Sequence, residues 1–153
     1  MQDLLTVEKR GKIAIITINR PDQLNPLGKA GDGDAFVEVT KELAADKELR
    51  CCILTGAGRA FSAGGDLKAM KERTGAFGGT PAEVKEGYTG NIHKIVNSLW
   101  NFDLPLIAAV NGPAVGLGCD VACMADMRII ADSARFGMSF LRINLIPGDG
   151  GSW

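Results

Sequence analysis

Short, nearly continuous apolar runs recur along the chain at Ile13 to Ile18, Cys51 to Thr55, Leu106 to Val110 and Met127 to Ala131. Each reads as a strand, and Cys51 to Thr55, closed by Gly56 and Gly58, has the pattern of one buried on both faces. Arg20-Pro21 ends the first run and Asn111-Gly112-Pro113 the third, because proline removes a ladder donor and biases its neighbour to extended geometry. Leu4 to Val7 precedes Ile13 to Ile18 as the first arm of an opening hairpin. Between the runs, Phe36, Val39 and Leu43 recur at helical spacing in residues 35–46, with Asp34 as N-cap. A longer helix spans residues 82–101, with Tyr88, Ile92, Ile95, Val96 and Leu99 on one apolar stripe. Residues 22–34 and 74–81 read as loops. Alternating strands and helices point to an α/β fold with right-handed crossovers.

At 153 residues, 46% hydrophobic and 23% charged, the chain fits one soluble globular domain. Its net charge of -1 gives no broad basic field for nucleic acid. The apolar runs fall far short of the roughly 20 residues a membrane helix needs, and no apolar signal region opens the chain, so a cytoplasmic home is expected. Cys51, Cys52, Cys119 and Cys123 lack C-x-x-C spacing and there is one histidine, which argues against zinc. These thiols read as small buried hydrophobes in a reducing compartment. His93 lies off the helical stripe and reads as solvated or structural, while Phe61, Trp100 and Phe136 read as core.

Two glycine-rich corners follow apolar strands: Ala60 to Leu67, and Asn111 to Asp120. Glycine lets the main chain approach a ligand closely, and a helix start leaves its first N–H groups unpaired. Two such donors converging on a carbonyl oxygen would stabilise an oxyanion or enolate. Either corner alone also has the plainer reading of a turn. Neither matches a dinucleotide fingerprint or a P-loop. Ser62 and Ser139 have no suggested histidine partner, which disfavours a serine hydrolase. Lys68 and Lys71, after the first corner, fit either contacts to coenzyme A phosphates or a solvated helix face.

Asn19-Arg20-Pro21, Gly58 to Leu67, Ala108 to Asp120, and Ala134-Arg135-Phe136-Gly137 with Ile146-Pro147-Gly148 together resemble the crotonase, or enoyl-CoA hydratase/isomerase, superfamily. The resemblance runs along essentially the whole chain in order. It implies an α/β spiral of repeated β-β-α units over residues 1–153, with a further C-terminal helical part of the family expected beyond Trp153. It also implies acyl-CoA thioester substrates in fatty acid metabolism, with no metal or redox cofactor, and a homotrimer or dimer of trimers.

Residue by residue, the resemblance places the thioester oxygen on the N–H groups of Gly65 and Leu117, with Ala63, Gly64, Asp66, Leu67 and Gly116 as further substrate-binding positions. Leu117 stands where glycine is usual, which leaves a backbone donor in place. Asp120 stands where the family commonly has its first catalytic glutamate, and its plainer reading is a carboxylate favoured by the helix dipole. The second glutamate of the hydratases falls at Phe140, which can neither donate nor accept a proton. Asp149 occupies a turn where dihydroxynaphthoyl-CoA synthases and chlorobenzoyl-CoA dehalogenases carry an aspartate, and its plainer reading is an Asp-Gly turn. Asp120 and Asp149 are the expected acid/base pair. The alternatives are a synthase- or dehalogenase-type enzyme using Asp149, or a non-catalytic acyl-CoA-binding member.

Overall fold

A computed structural model describes residues 4–152. The chain opens with β1 (Leu5–Arg10) and β2 (Ile13–Ile18), an antiparallel hairpin in which Arg10 faces Ile13. The first strand therefore extends to Arg10 rather than ending at Val7. Gly11 supplies, at φ 59°, the left-handed conformation that a two-residue hairpin turn favours.

β2 pairs in parallel with β4 (Cys51–Gly56), β4 with β6 (Leu106–Val110), and β6 with β8 (Met127–Ile130), giving a five-stranded sheet ordered β1-β2-β4-β6-β8. Each long parallel strand is followed by a two-residue one: β3 (Pro26–Leu27), β5 (Gly64–Gly65), β7 (Ala114–Val115) and β9 (Phe136–Gly137). β3 pairs with β5 and β7 with β9, and a bridge from Ser62 to Ala114 joins these small sheets. Helices α1 (Asp32–Ala45), α2 (Leu67–Glu72) and α5 (Leu117–Met124) follow β3, β5 and β7. The second turn also carries α3 (Pro81–Gly87) and α4 (His93–Trp100). This is the expected spiral of β-β-α units.

The inward residues Ile16, Ile18, Leu54, Ala108 and Val110 join one buried cluster with Phe36 and Leu43 of α1 and with Ile95 and Leu99 of α4. Alternate residues on the other face, such as Ile15 and Ile53, are only half-buried, and Ile129 of β8 is 67% exposed. Among the described residues, then, β4 is deeply buried on one face, not on both. Phe61 is fully buried, whereas Trp100 and Phe136 are 56% and 41% exposed and are not core residues. Cys52 and Cys119 are buried as expected, but Cys51 is intermediate and Cys123 exposed.

α1 begins at Asp32, with Gly31 as N-cap in the left-handed region at φ 87°. Asp34 is thus not the cap. It lies in the first turn and pairs with Lys94 of α4 at 2.6 Å. The loop read across residues 22–34 contains a 3-10 turn (Pro21–Gln23) and β3 as well. Thr80 and Glu83 form a reciprocal capping box at the start of α3. The expected helix over residues 82–101 is continuous but contains a π-helical turn, Tyr88–Ile92, between α3 and α4. Among the described residues no helix is long and apolar enough to cross a membrane.

Candidate active site

The first corner is fixed from beneath. The buried Asn25 side chain accepts from Arg20 N at 2.8 Å and donates to the carbonyls of Ala57 and Ala60, both at 2.8 Å. Its backbone carbonyl accepts from Ser62 Oγ, which itself accepts from Gly64 N at 3.1 Å. Ser62 is therefore a strut of the turn, with its hydroxyl already engaged on both sides. Arg20 forks onto the Asp32 carboxylate at 2.6 and 2.8 Å and also donates to the Pro26 carbonyl, tying β3 to the start of α1.

The second corner is locked onto the first. Val115 N donates to Ser62 O, and Gly116 N to Gly137 O. Gly64 sits at φ 83°, and a Cβ there would collide with the Val115 carbonyl oxygen. Both the conformation and the close approach therefore require glycine. Across this seam, that Cβ position lies 3.4 Å from Leu117 N.

The result is one small cleft, about 60 Å³, whose walls include Ala63, Gly65, Leu67, Gly116, Leu117 and Asp149. Leu117 is the first residue of α5, where the helix leaves its N–H groups without intrahelical partners. Phe140 also lines the cleft and supplies a hydrocarbon wall at the position read as lacking a carboxylate. Two of the expected binding positions are not on that wall. Gly64 is buried behind it, and the Asp66 side chain caps α2, accepting from Lys68 N and Ala69 N at 3.0 and 3.1 Å. Lys68 is exposed beside Glu72.

Asp120, in the first turn of α5, is only 1% exposed, and its Oδ2 has no hydrogen-bond partner among the described residues. Burial pushes its carboxyl up to about 7, reinforced by the charge of Asp149 and by a side-chain hydrogen bond between the two. Asp149 is also raised by burial, a shift opposed by the hydrogen bonds from Asp120 and from backbone N–H groups and by the proximity of His93. Two carboxyls so coupled lose their protons in separate steps, both shifted upward by burial, which sets an acid and a base at one place. Asp149 faces the cleft. Asp120 stands behind it and lines a separate cavity with Cys119, Cys123 and Met138.

Tyr88 and His93 complete the surroundings. His93 Nε2 lies 2.7 Å from the Gly148 carbonyl, which pins the turn carrying Asp149, so its structural reading holds. Tyr88 lines the cleft, stacks edge-on with Phe77 and His93, and has its phenol pKa raised by burial and by the charge of Asp149. Sequence reading placed Tyr88 on the apolar stripe as a packing residue. Its one signal was that it is the stripe's only polar-tipped side chain. Among the described residues no group of three or more histidines, cysteines or acidic residues is placed to hold a metal ion.

The raised carboxyl sets a pH dependence. Asp120 is more basic folded than its ordinary value of 3.8, so the folded state binds more protons between those values. Stability from this group is complete below pH 3.8 and is lost as pH rises through about 7. Asp120→Asn, which keeps the shape without the charge, is expected to flatten the fall in urea midpoint across that window. An unchanged slope would mean that Asp120 ionises freely in the folded protein.

Comparison with known proteins adds the following. The family model described as enoyl-CoA hydratase/isomerase matches residues 8–153. A short-chain-enoyl-CoA hydratase of Clostridium acetobutylicum is 41% identical over 150 residues, covering 95% of this chain and 53% of that protein. A 1,2-epoxyphenylacetyl-CoA isomerase of Escherichia coli is 36% identical over 154 residues, covering 100% of this chain and 56% of that protein. Among solved structures, an enoyl-CoA hydratase from Bacillus anthracis superposes with a TM-score of 0.86 at 30% identity, over 98% of this chain and 56% of that one. An enoyl-CoA hydratase/isomerase from Mycobacterium paratuberculosis gives 0.83 at 35%, over 99% and 58%. The chain thus spans about half the length of the curated relatives it matches.

Proposed function

The chain belongs to the enoyl-CoA hydratase/isomerase family, and from that premise we propose that it supplies an oxyanion corner and an aspartate acid/base pair to an enzyme acting on acyl-CoA thioesters. The observation that carries this reading is convergence: Gly65, Leu117 and Asp149, from three distant stretches of sequence, line one cleft, with the buried carboxyl of Asp120 close enough for the charge of Asp149 to raise it.

On this reading the thioester oxygen accepts from the N–H groups of Gly65 and Leu117, and these donors stabilise the enolate more than the neutral ester. Ala63, Leu67 and Gly116 flank the acyl group. The ionised carboxylate of the pair takes a proton, from a substrate carbon in isomerisation or from the attacking water in hydration. Asp149, the member that lines the cleft, then gives a proton to the enolate carbon, so the pair ends with as many protons as it began with. Gly64 and Asp66 act from below, by shaping the corner and capping α2, and coenzyme A enters as part of the substrate.

A second reading rests on Phe140. With a phenyl ring on the cleft wall, the carboxylate there among the described residues is Asp149, which favours the synthase- or dehalogenase-type use of that aspartate over two-glutamate hydration. The finer parts of the assignment are a role in fatty acid metabolism, a homotrimer or dimer of trimers, and a cytoplasmic setting. Exposed Met127, Ile129 and Ile130 on β8 support burial against another surface, and the free thiols suit a reducing compartment.

The test is to mix the purified protein with crotonyl-, dienoyl- and aryl-CoA thioesters and follow the ultraviolet absorbance of the conjugated thioester. A steady change is expected with at least one of them. Tight acyl-CoA binding with no change in any would move the protein to the non-catalytic reading.

A further inference from the structure

Tyr88 and His93 stand five residues apart, and an ordinary α-helix, which turns about 100° per residue, would point them roughly 140° away from each other. The π-helical turn Tyr88–Ile92 removes that divergence. It bonds His93 N–H to the Tyr88 carbonyl, five residues back, and the two rings meet edge-on with centroids 6.0 Å apart. Such wide turns are rare and recur at functional sites. This one is anchored from within, because the Asn91 side chain donates to the carbonyls of Gly28 and Lys29 at 2.9 and 3.0 Å and accepts from Gly33 N at 2.8 Å. The aligned rings meet one target, the turn that carries Asp149. His93 Nε2 lies 2.7 Å from the Gly148 carbonyl, and a Cβ placed on Gly148 would be 3.8 Å from the edge of the Tyr88 ring.

We propose that the π-helical turn is a positioning device for Asp149, with His93 the residue that holds the carboxylate at the cleft and Tyr88 the wall against which it is held. This rests on the acyl-CoA reading above. A carbonyl only accepts, so His93 Nε2 carries the imidazole proton and donates it to Gly148 O. The N–H of the same glycine donates to Asp149 Oδ1 at 3.3 Å, so one residue links the imidazole to the carboxylate. Gly148, Gly150 and Gly151 leave the backbone around Asp149 many conformations to lose, which is why an anchor from outside the turn matters there. Without the His93 bond the turn loses this tie to α4, and the carboxylate is free to leave the wall it shares with Tyr88. His93 is not among the residues lining the cleft and acts through Asp149, which makes it a positioning residue.

Tyr88 is the chain's one tyrosine, so alkaline titration of the phenol absorbance reads it alone. Its pKa is raised by burial and then by the charge of Asp149, which makes the phenol a gauge of where that carboxylate stands. The experiment measures the midpoint in the purified wild-type protein, His93→Gln and His93→Leu, each with and without Asp149→Asn. Asp149→Asn is expected to lower the midpoint in the wild type and in His93→Gln, whose amide N–H replaces the imidazole donor, and to lose most of that effect in His93→Leu. Comparing within each background cancels the direct effect of residue 93 on the phenol. An equal drop in all three backgrounds would overturn the proposal, and so would no drop in the wild type, which would show that the carboxylate does not face Tyr88. On a responsive thioester, His93→Leu should lower kcat by about 10²-fold with affinity for butyryl-CoA little changed, and His93→Gln should restore most of the rate. An unchanged kcat in His93→Leu would overturn the proposal too. Loss of the coupling in a protein that turns over no thioester would uphold the positioning and remove only the catalytic reading.

Discussion

Asp149→Asn is expected to lower the rate on a responsive enoyl-CoA thioester by about 10²–10⁴-fold, the usual contribution of a positioned acid/base group. Affinity for a saturated acyl-CoA should stay nearly unchanged. The substitution is isosteric, and the carboxamide can keep hydrogen bonds to the Gly148 turn while losing the ability to accept a proton as a base. Asp149 is the member of the pair that lines the cleft, so its removal strikes the transfer itself. Asp120 does not itself line the cleft and acts through Asp149, so Asp120→Asn should cost less at the optimum and mainly reshape the pH profile on its acid and base limbs. Full activity in Asp149→Asn would remove it from the mechanism, and the reverse ranking of the two variants would exchange their roles.

Arg20→Met is expected to destabilise the fold by about 3–5 kcal/mol, the range for breaking a buried ion pair from one side. The cause is Asp32, which is 2% exposed and receives two hydrogen bonds from the Arg20 guanidinium and one from Lys29 N at 2.9 Å. Methionine fills the space of the arginine stem yet leaves a charged carboxylate buried with only a backbone donor. For a domain of this size the urea midpoint should fall by about 1 M or more. The double variant Arg20→Met/Asp32→Leu should recover most of that loss, since it removes the stranded charge. A loss under about 1 kcal/mol in Arg20→Met would show that water reaches Asp32 readily when the arginine is gone. Arg20 also holds the Pro26 carbonyl, and β3 pairs with β5 of the first corner, so the same variant should weaken acyl-CoA binding before it unfolds the protein.

The inner strands β2, β4 and β6 of the main sheet were legible because burial of one face forces them to be. Leu106 to Val110 carries no polar side chain, and such a run has few stable homes outside a covered strand. The stop signals were equally local: Pro21, Gly56 and the Asn111-Gly112-Pro113 break each act on their own backbone and their neighbours. The start of α1 was misplaced because Asp34 has the chemistry of a cap while Gly31 has only the geometry of one, and geometry is not written in side-chain type. The two-residue strands β3, β5, β7 and β9 were invisible for a related reason. Pairings that short have no period to detect and exist only because the next turn of the spiral brings a partner alongside.

The candidate site divides along the same line. In the sequence, Gly65, Leu117, Asp120 and Asp149 were named through the resemblance that the glycine corners and their neighbouring motifs carry, since such motifs are residue types in order along a chain. The same resemblance set Phe140 apart as a position without proton chemistry. Only the folded structure decided that Asp149 lines the cleft and Asp120 stands behind it, that Asp66 is occupied as a helix cap and Ser62 as a strut, and that Tyr88 and Met70 face the same space. Those are relations between residues tens of positions apart. Hydrogen bonding, burial and the pKa shifts that follow depend on through-space distance, and that distance is set by how successive β-β-α turns stack.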